Sequence, residues 1–118
     1  MFLLLTAGPE EPEAALPFVA AKGAVLDGED VSFVAMADGV TLLTESTDLH
    51  AIEASGLPTV GRTVDTLREA DALADAVALR ACCDARGIDD SDLADWASMD
   101  DESAVARVAA DHETTLTF

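Results

Sequence analysis

Hydrophobic residues along this chain fall into short continuous runs, separated by stretches in which they recur at helical spacing. Short apolar runs bounded by Gly, Pro or Asp are typical of strands that are buried on both faces. The third run is rich in Ala and Leu, which by themselves favour a helix, but the alternation around it favours a strand. The predicted strands are Phe2–Thr6, Val31–Met36, Asp71–Leu79, Trp96–Met99 and Thr114–Phe118.

Helical spacing and end signals predict helices between these strands. Pro12 suits the first position of the first helix, with acidic residues around the positive end of its dipole, and Gly28 closes it. Asp38 is expected to cap the second helix. The predicted helices are Ala14–Leu26, Gly39–Thr44, Thr63–Ala70, Asp89–Ala94 and Ser103–Ala110, with a loop at Ser46–Thr59 and a short segment at Cys82–Arg86.

This alternation of strands and helices predicts an α/β fold with a mostly parallel sheet covered on both faces. The length of 118 residues fits a single domain, 1–118. No apolar run approaches the roughly 18 residues that span a bilayer. The first residues lack a basic region and a cleavage site, so we expect a cytoplasmic protein.

The net charge of the chain limits the kinds of molecule that could bind its surface. The chain has 24 Asp and Glu against six Arg and Lys, a formal net charge of −18. Mean hydropathy is nevertheless +0.24, so the chain has the apolar residues to fold, and the charge is expected outside. Salt screens the repulsion between carboxylates, so the composition indicates adaptation to a salty cytoplasm. Nucleic acid and anionic membranes are poor partners for such a surface.

Three loops follow predicted strands, and ligands of parallel α/β sheets bind where such loops meet. The first carries Thr6 and Gly8, the second Met36, Asp38 and Gly39. Neither has the glycine spacing or the Lys-Ser/Thr pair of a phosphate loop, which argues against a flavodoxin-like nucleotide binder. No cofactor is expected, and the two histidines show no spacing suited to a metal site.

The third loop carries the two cysteines, Cys82 and Cys83. A disulfide between neighbours is improbable on geometric grounds. Two interpretations stay open: both are small buried side chains, or one is a nucleophilic thiolate near a helix start with Arg80 and Arg86 close in sequence.

Six short segments, in this order and at these intervals, resemble the DsrE/DsrF-like family of small sulfur-relay proteins. The resemblance covers nearly the full chain, and the Cys-x-x-x-Arg-Gly-Ile segment followed by an acidic turn is its most specific part. The segments are Leu4–Glu10, Ala20–Ala24, Met36–Val40, Cys82–Ile88, Asp92–Leu93 and Thr115–Phe118.

The resemblance implies a three-layer α/β/α sandwich with a sheet of about five strands and a homo-oligomer, a trimer or hexamer. It also implies a persulfide on a loop cysteine and a sulfur donor or acceptor protein as partner. In many members a Cys-x-x-Cys precedes the Arg-Gly, and its first cysteine, the usual carrier, falls here at Leu79.

The leucine at position 79, where many family members have the carrier cysteine, leads to two hypotheses. In the first, Cys82 is the acceptor thiolate, Cys83 is a second or resolving thiol, and Arg86 stabilises the thiolate charge. Thr6, Gly8, Met36, Asp38 and Gly39 then shape the pocket. In the second, the protein is a non-catalytic, oligomeric ligand-binding or structural subunit with buried cysteines.

Overall fold

The computed structural model, which describes residues 1–53 and 56–117, contains a sheet of five parallel strands. Their order across the sheet is β4-β3-β2-β1-β5, so the first strand of the chain lies inside the sheet. The strands are β1 (Phe2–Leu5), β2 (Val31–Ala35), β3 (Leu73–Leu79), β4 (Ser98–Asp100) and β5 (Thr115–Thr117).

Helices cover both faces of the sheet. The α-helices are α1 (Leu16–Leu26), α2 (Val60–Glu69), α3 (Arg80–Asp84) and α4 (Ser103–Ala110). Short 3-10 helices span Pro12–Ala15, Ala37–Leu43, Leu49–Ala51 and Asp90–Asp92. The fold is therefore the three-layer α/β sandwich that the sequence and the family resemblance predict.

Alternation along the strands divides the core between the two faces of the sheet. Leu3, Leu5 and Phe33 point into the larger core, which α1 and α2 cover. Phe2 and Val34 point the other way, against the buried side chains of α4. Every residue of β2 is buried, because this strand lies in the middle of the sheet and is covered on both faces.

Several element boundaries differ from the predicted ones because local hydrogen bonds fix them. Helix α2 begins at Val60 rather than Thr63, since the Thr59 side chain accepts a hydrogen bond from the Arg62 N–H at 3.2 Å. Residues 89–94 form only the 3-10 helix Asp90–Asp92. Of the predicted loop Ser46–Thr59, the part that the structure describes contains one 3-10 turn; positions 54 and 55 lie outside the described residues, as does Phe118.

The predicted capping role of Asp38 is wrong. The segment that follows β2 is the 3-10 helix Ala37–Leu43, with Met36 at its N-cap position and no side-chain capping bond. The Asp38 carboxylate binds elsewhere, to the guanidinium of Arg86.

The acidic residues lie outside the core. Among the described residues, the buried polar side chains are Ser32, Thr44 and Thr63, and none is a carboxylate. Also within the described ranges, no helix is long and apolar enough to cross a membrane. The folded chain therefore concentrates its negative charge on the surface, where the carboxylates repel one another.

We expect salt to stabilise the fold by screening that repulsion, whose range falls from about 10 Å in 0.1 M salt to about 3 Å in 1 M salt. The melting temperature should rise by about 5 °C over this range of KCl, corresponding to about 1 kcal/mol for a domain of this size. Thermal unfolding followed by circular dichroism measures it. Screening saturates near 1 M, so a melting temperature that is flat or falls with KCl would contradict the interpretation.

Candidate functional site

Three loops meet at the carboxyl ends of β1, β2 and β3, and a glycine brings the first two together. A Cβ atom on Gly39 would overlap the carbonyl oxygen of Leu5 and lie 2.6 Å from its carbon. Only glycine therefore allows the 3-10 helix after β2 to rest on the end of β1. The Met36 N–H also donates to the Leu5 carbonyl, at 2.9 Å, so both segments are fixed at this point.

Asp38 connects the remaining loops. Its Cβ lies 3.2 Å from the position that a Cβ on Gly8 would occupy, which places the loop after β1 beside it. Its Oδ1 accepts hydrogen bonds from Arg86 Nη2 at 2.8 Å and Nε at 3.2 Å. Arg86 Nη1 donates to the carbonyl oxygen of Cys82 at 3.0 Å. The Asp38–Arg86 ion pair thus joins the loops after β2 and β3.

The expected role of Arg86, to stabilise the charge of the thiolate, stays a prediction, and the structure shows which groups its guanidinium binds. Its guanidinium binds the backbone oxygen of Cys82 and the carboxylate of Asp38, and the polar contact of the Cys82 sulfur comes from another residue. Arg86 positions the cysteine segment, and its charge is largely balanced by Asp38.

The Cys82 sulfur accepts a hydrogen bond from the backbone N–H of Ala37, with 3.2 Å between nitrogen and Sγ. Ala37 adopts φ = +50°, a left-handed conformation that residues with a Cβ rarely adopt. Backbone strain of this kind costs of order 1 kcal/mol and is characteristic of functional sites. No sequence pattern points to Ala37, because alanine rarely occupies this conformation.

The two cysteines have different environments, although they are neighbours. Cys82 is the third residue of the five-residue helix α3 and is partly exposed. Cys83 is fully buried in the larger core. Burial raises the pKa of the Cys83 thiol, and the nearby Cys82 and Asp84 raise it further. In this conformation the Cys83 thiol is buried, and its role as a second or resolving thiol stays a prediction.

The other predicted site residues border the same place. Thr6 follows β1 and Met36 follows β2, and both are partly buried. Leu79 ends β3 with 8% of its surface exposed, so it contributes an apolar side chain. The described residues contain no group of three His, Cys, Asp or Glu side chains that could hold a metal ion.

A protein-family model matches residues 1–118, and its description is the DsrE/DsrF-like family. The chain belongs to the DsrE/DsrF-like family. This membership agrees with the resemblance of the short segments and places the chain in a family of the sulfur-relay type. No curated protein matches the chain significantly.

Two solved structures share the fold of this DsrE/DsrF-like chain at low sequence identity. The YchN protein of E. coli superimposes with a TM-score of 0.73 at 19% identity, covering 99% of this chain and 97% of that one. The protein of unknown function MTH1491 from Methanobacterium thermoautotrophicum superimposes with a TM-score of 0.72 at 15% identity, with the same coverage of both chains. Their similarity to this chain extends over the whole fold.

The strain at Ala37 predicts the effect of a glycine there. Ala37→Gly should raise the free energy of unfolding by about 1 kcal/mol, because glycine adopts positive φ without the steric cost of a Cβ. Urea unfolding measures this. Asp71→Gly is the matched control, since Asp71 has φ = +53° and lies on another segment. A loss of stability in Ala37→Gly with a gain in Asp71→Gly would contradict the strain at Ala37.

The burial of Cys83 predicts selective alkylation of Cys82. At about pH 8, below the ordinary thiol pKa of about 8.5, iodoacetamide should add once to the native protein and twice after unfolding. Cys83 is inaccessible because it is fully buried, and its raised pKa further favours the neutral thiol. Intact mass gives the count. Cys82→Ser should take up no label and Cys83→Ser one; the reverse result would assign the accessible thiol to Cys83.

Proposed function

We propose that this protein is a cytoplasmic sulfur carrier that accepts and passes on sulfur as a persulfide of Cys82. The observation that carries the proposal is the partly exposed Cys82 sulfur with the Ala37 N–H directed at it. An accessible thiol with a fixed hydrogen-bond donor beside it is suited to nucleophilic chemistry. Membership of a family of the sulfur-relay type supports the same chemistry.

The transfer balances without an added oxidant. The Cys82 thiolate attacks the outer sulfur of a donor persulfide, a new S–S bond forms, and the donor leaves as its thiolate. Cys82 then carries a terminal S–H. In the second step an acceptor thiolate attacks this terminal sulfur, and the Cys82 thiolate is the leaving group.

The surroundings of Cys82 suit both steps. The Ala37 N–H stabilises negative charge on Sγ each time it develops, as backbone donors do at anionic intermediates. The Asp38–Arg86 pair holds the two loops so that this donor stays 3.2 Å from the sulfur. Buried Leu79 and partly buried Met36 lie beside the cysteine loop as apolar residues.

The protein works as a homo-oligomer, a trimer or hexamer, with a sulfur donor protein and an acceptor protein. The net charge of −18 suits a cytoplasm of high salt, and both cysteines remain thiols there.

An alternative function is favoured by one observation, the leucine at position 79. Leu79 is an apolar, 8% exposed residue where the family resemblance expects the carrier cysteine. On this alternative the protein is a non-catalytic ligand-binding or structural subunit, and Cys82 only packs between loops.

Incubation with inorganic polysulfide followed by intact mass separates the two functions. We expect the native protein to gain the mass of one sulfur atom, released again by a reducing thiol such as dithiothreitol. Cys83→Ser should gain the same mass, whereas Cys82→Ser should gain none.

Alkylation of Cys82 serves as the control for access. If Cys82 alkylates readily but no variant takes up sulfur, the carrier function fails and the non-catalytic alternative is favoured. Uptake of sulfur that persists in Cys82→Ser would assign the carrier to another residue and would equally contradict the proposal.

A further inference from the structure

A cleft of about 400 Å³ lies between helix α2 and the segment 45–50, away from the cysteines. Val64 and Leu49 contribute its apolar surface, and Trp96 and Arg68 line one end. The same tryptophan and arginine line an adjoining depression together with Leu73, the first residue of β3. Small-molecule sites in proteins have volumes of about 300–1,000 Å³, so the cleft has room for a small ligand.

The walls of the cleft are held in place without a ligand. The His50 ring packs closely against α2 at Gly61, where a Cβ would be 2.7 Å from the ring atoms Cγ and Cδ2. Two threonine hydroxyls, of Thr44 and Thr47, donate to the carbonyl oxygen of Thr41 at 2.7 and 2.8 Å and brace the loop before His50. A site with rigid walls binds at a lower entropic cost than one that must be ordered.

Arg68 provides hydrogen-bond donors to the cleft, and no carboxylate of the described residues forms an ion pair with it. Three of the five arginines, Arg80, Arg86 and Arg107, form ion pairs with carboxylates. Arg68 forms none with the residues described, in a chain that has 24 Asp and Glu. The carboxylate one helical turn before it, that of Asp65, lies 3.3 Å from His50 Nε2 instead. The five N–H donors of Arg68 are thus available to a ligand.

Trp96 provides an aromatic surface at the same end of the cleft. It packs partly against the core and is half-buried, so its ring is held while part of it faces the opening. Planar aromatic ligands stack on such a ring, because its face offers apolar contact area and a π-surface.

The charge of the cleft disfavours an anionic ligand. Glu45, Asp48 and Asp65 line it against the one guanidinium of Arg68, within a protein of net charge −18. Asp48 is used in a hydrogen bond to the His50 N–H, whereas the Glu45 carboxylate makes no side-chain hydrogen bond or ion pair with the described residues. An uncharged ligand with N–H groups for Glu45 and acceptors for Arg68 matches this arrangement.

We propose that the cleft binds an uncharged heteroaromatic molecule of the nucleobase type, free or as a nucleoside. The ring stacks on Trp96, its oxygen and nitrogen acceptors face Arg68, and its N–H donor faces Glu45. The site is distinct from the thiol, because neither cysteine lines the cleft. The adjoining depression includes Leu73 at the start of β3, whereas Cys82 follows the end of that strand, which spans about 20 Å.

Titration with inosine tests the proposal, read by tryptophan fluorescence. Trp96 is the only tryptophan and the chain has no tyrosine, so the signal reports this cleft alone. We expect saturable quenching by inosine, by its free base hypoxanthine, or by both. Inosine monophosphate should bind more weakly in low salt, and the difference should shrink in about 1 M KCl as the repulsion is screened.

Arg68→Gln should weaken inosine binding by about tenfold, since a bidentate arginine contact to a ring is lost. Arg62→Gln is the matched control: it lies on the same helix, is also exposed and unpaired among the described residues, and does not line the cleft. Equal affinities of the two variants, the absence of saturation, or tighter binding of the monophosphate in low salt would each overturn the proposal. Cys82→Ser should bind inosine normally, so failure here and failure of the sulfur carrier are distinguishable.

Discussion

The close contact between Gly39 and the carbonyl group of Leu5 is the constraint on which the candidate site depends. It fixes the 3-10 helix after β2 directly on the end of β1, where any side chain would overlap the backbone. That position in turn directs the Ala37 N–H towards Cys82 and the Asp38 carboxylate towards Arg86. A glycine and a strained alanine two positions before it therefore define the geometry around a thiol that is 45 residues further along the chain.

Packing rather than proximity in sequence makes the two cysteines chemically different. Helix α3 follows β3 directly, so one of two adjacent side chains must point towards the sheet and the other away from it. Cys83 fills the core and its pKa rises with burial, while Cys82 faces the meeting point of the loops. Packing also decides the environment of Leu79. The family usually has its sulfur-carrying cysteine at this position, but here the position is the almost buried end of a strand.

Because acidic residues greatly outnumber basic ones, most arginines of this surface are expected to form ion pairs with carboxylates. Arg86 and Arg107 are held by carboxylates at 2.8 and 2.7 Å, as expected when negative groups are abundant. Arg68 is the contrasting case, since His50 takes the carboxylate that lies one turn away from it on α2. The thiol and the cleft therefore lie in different electrostatic settings. A backbone N–H and an ion pair lie at the thiol, whereas the cleft has an indole and a guanidinium that forms no ion pair with the described residues.

The sequence by itself determined the fold class, the strands and the family. Apolar runs such as Phe2–Thr6 and Val31–Met36 predict buried parallel strands from local pattern, and the helix Ser103–Ala110 was predicted with its observed bounds. The three loops at the strand ends were also predictable, because parallel strands bring their carboxyl ends to one edge. Only the tertiary structure decided which cysteine is accessible, that Asp38 pairs with Arg86 instead of capping a helix, and that Ala37 donates to the sulfur. The tertiary structure alone also revealed the cleft that Arg68 and Trp96 line. The thiol site and the cleft both depend on contacts between residues far apart in sequence, which no local pattern encodes.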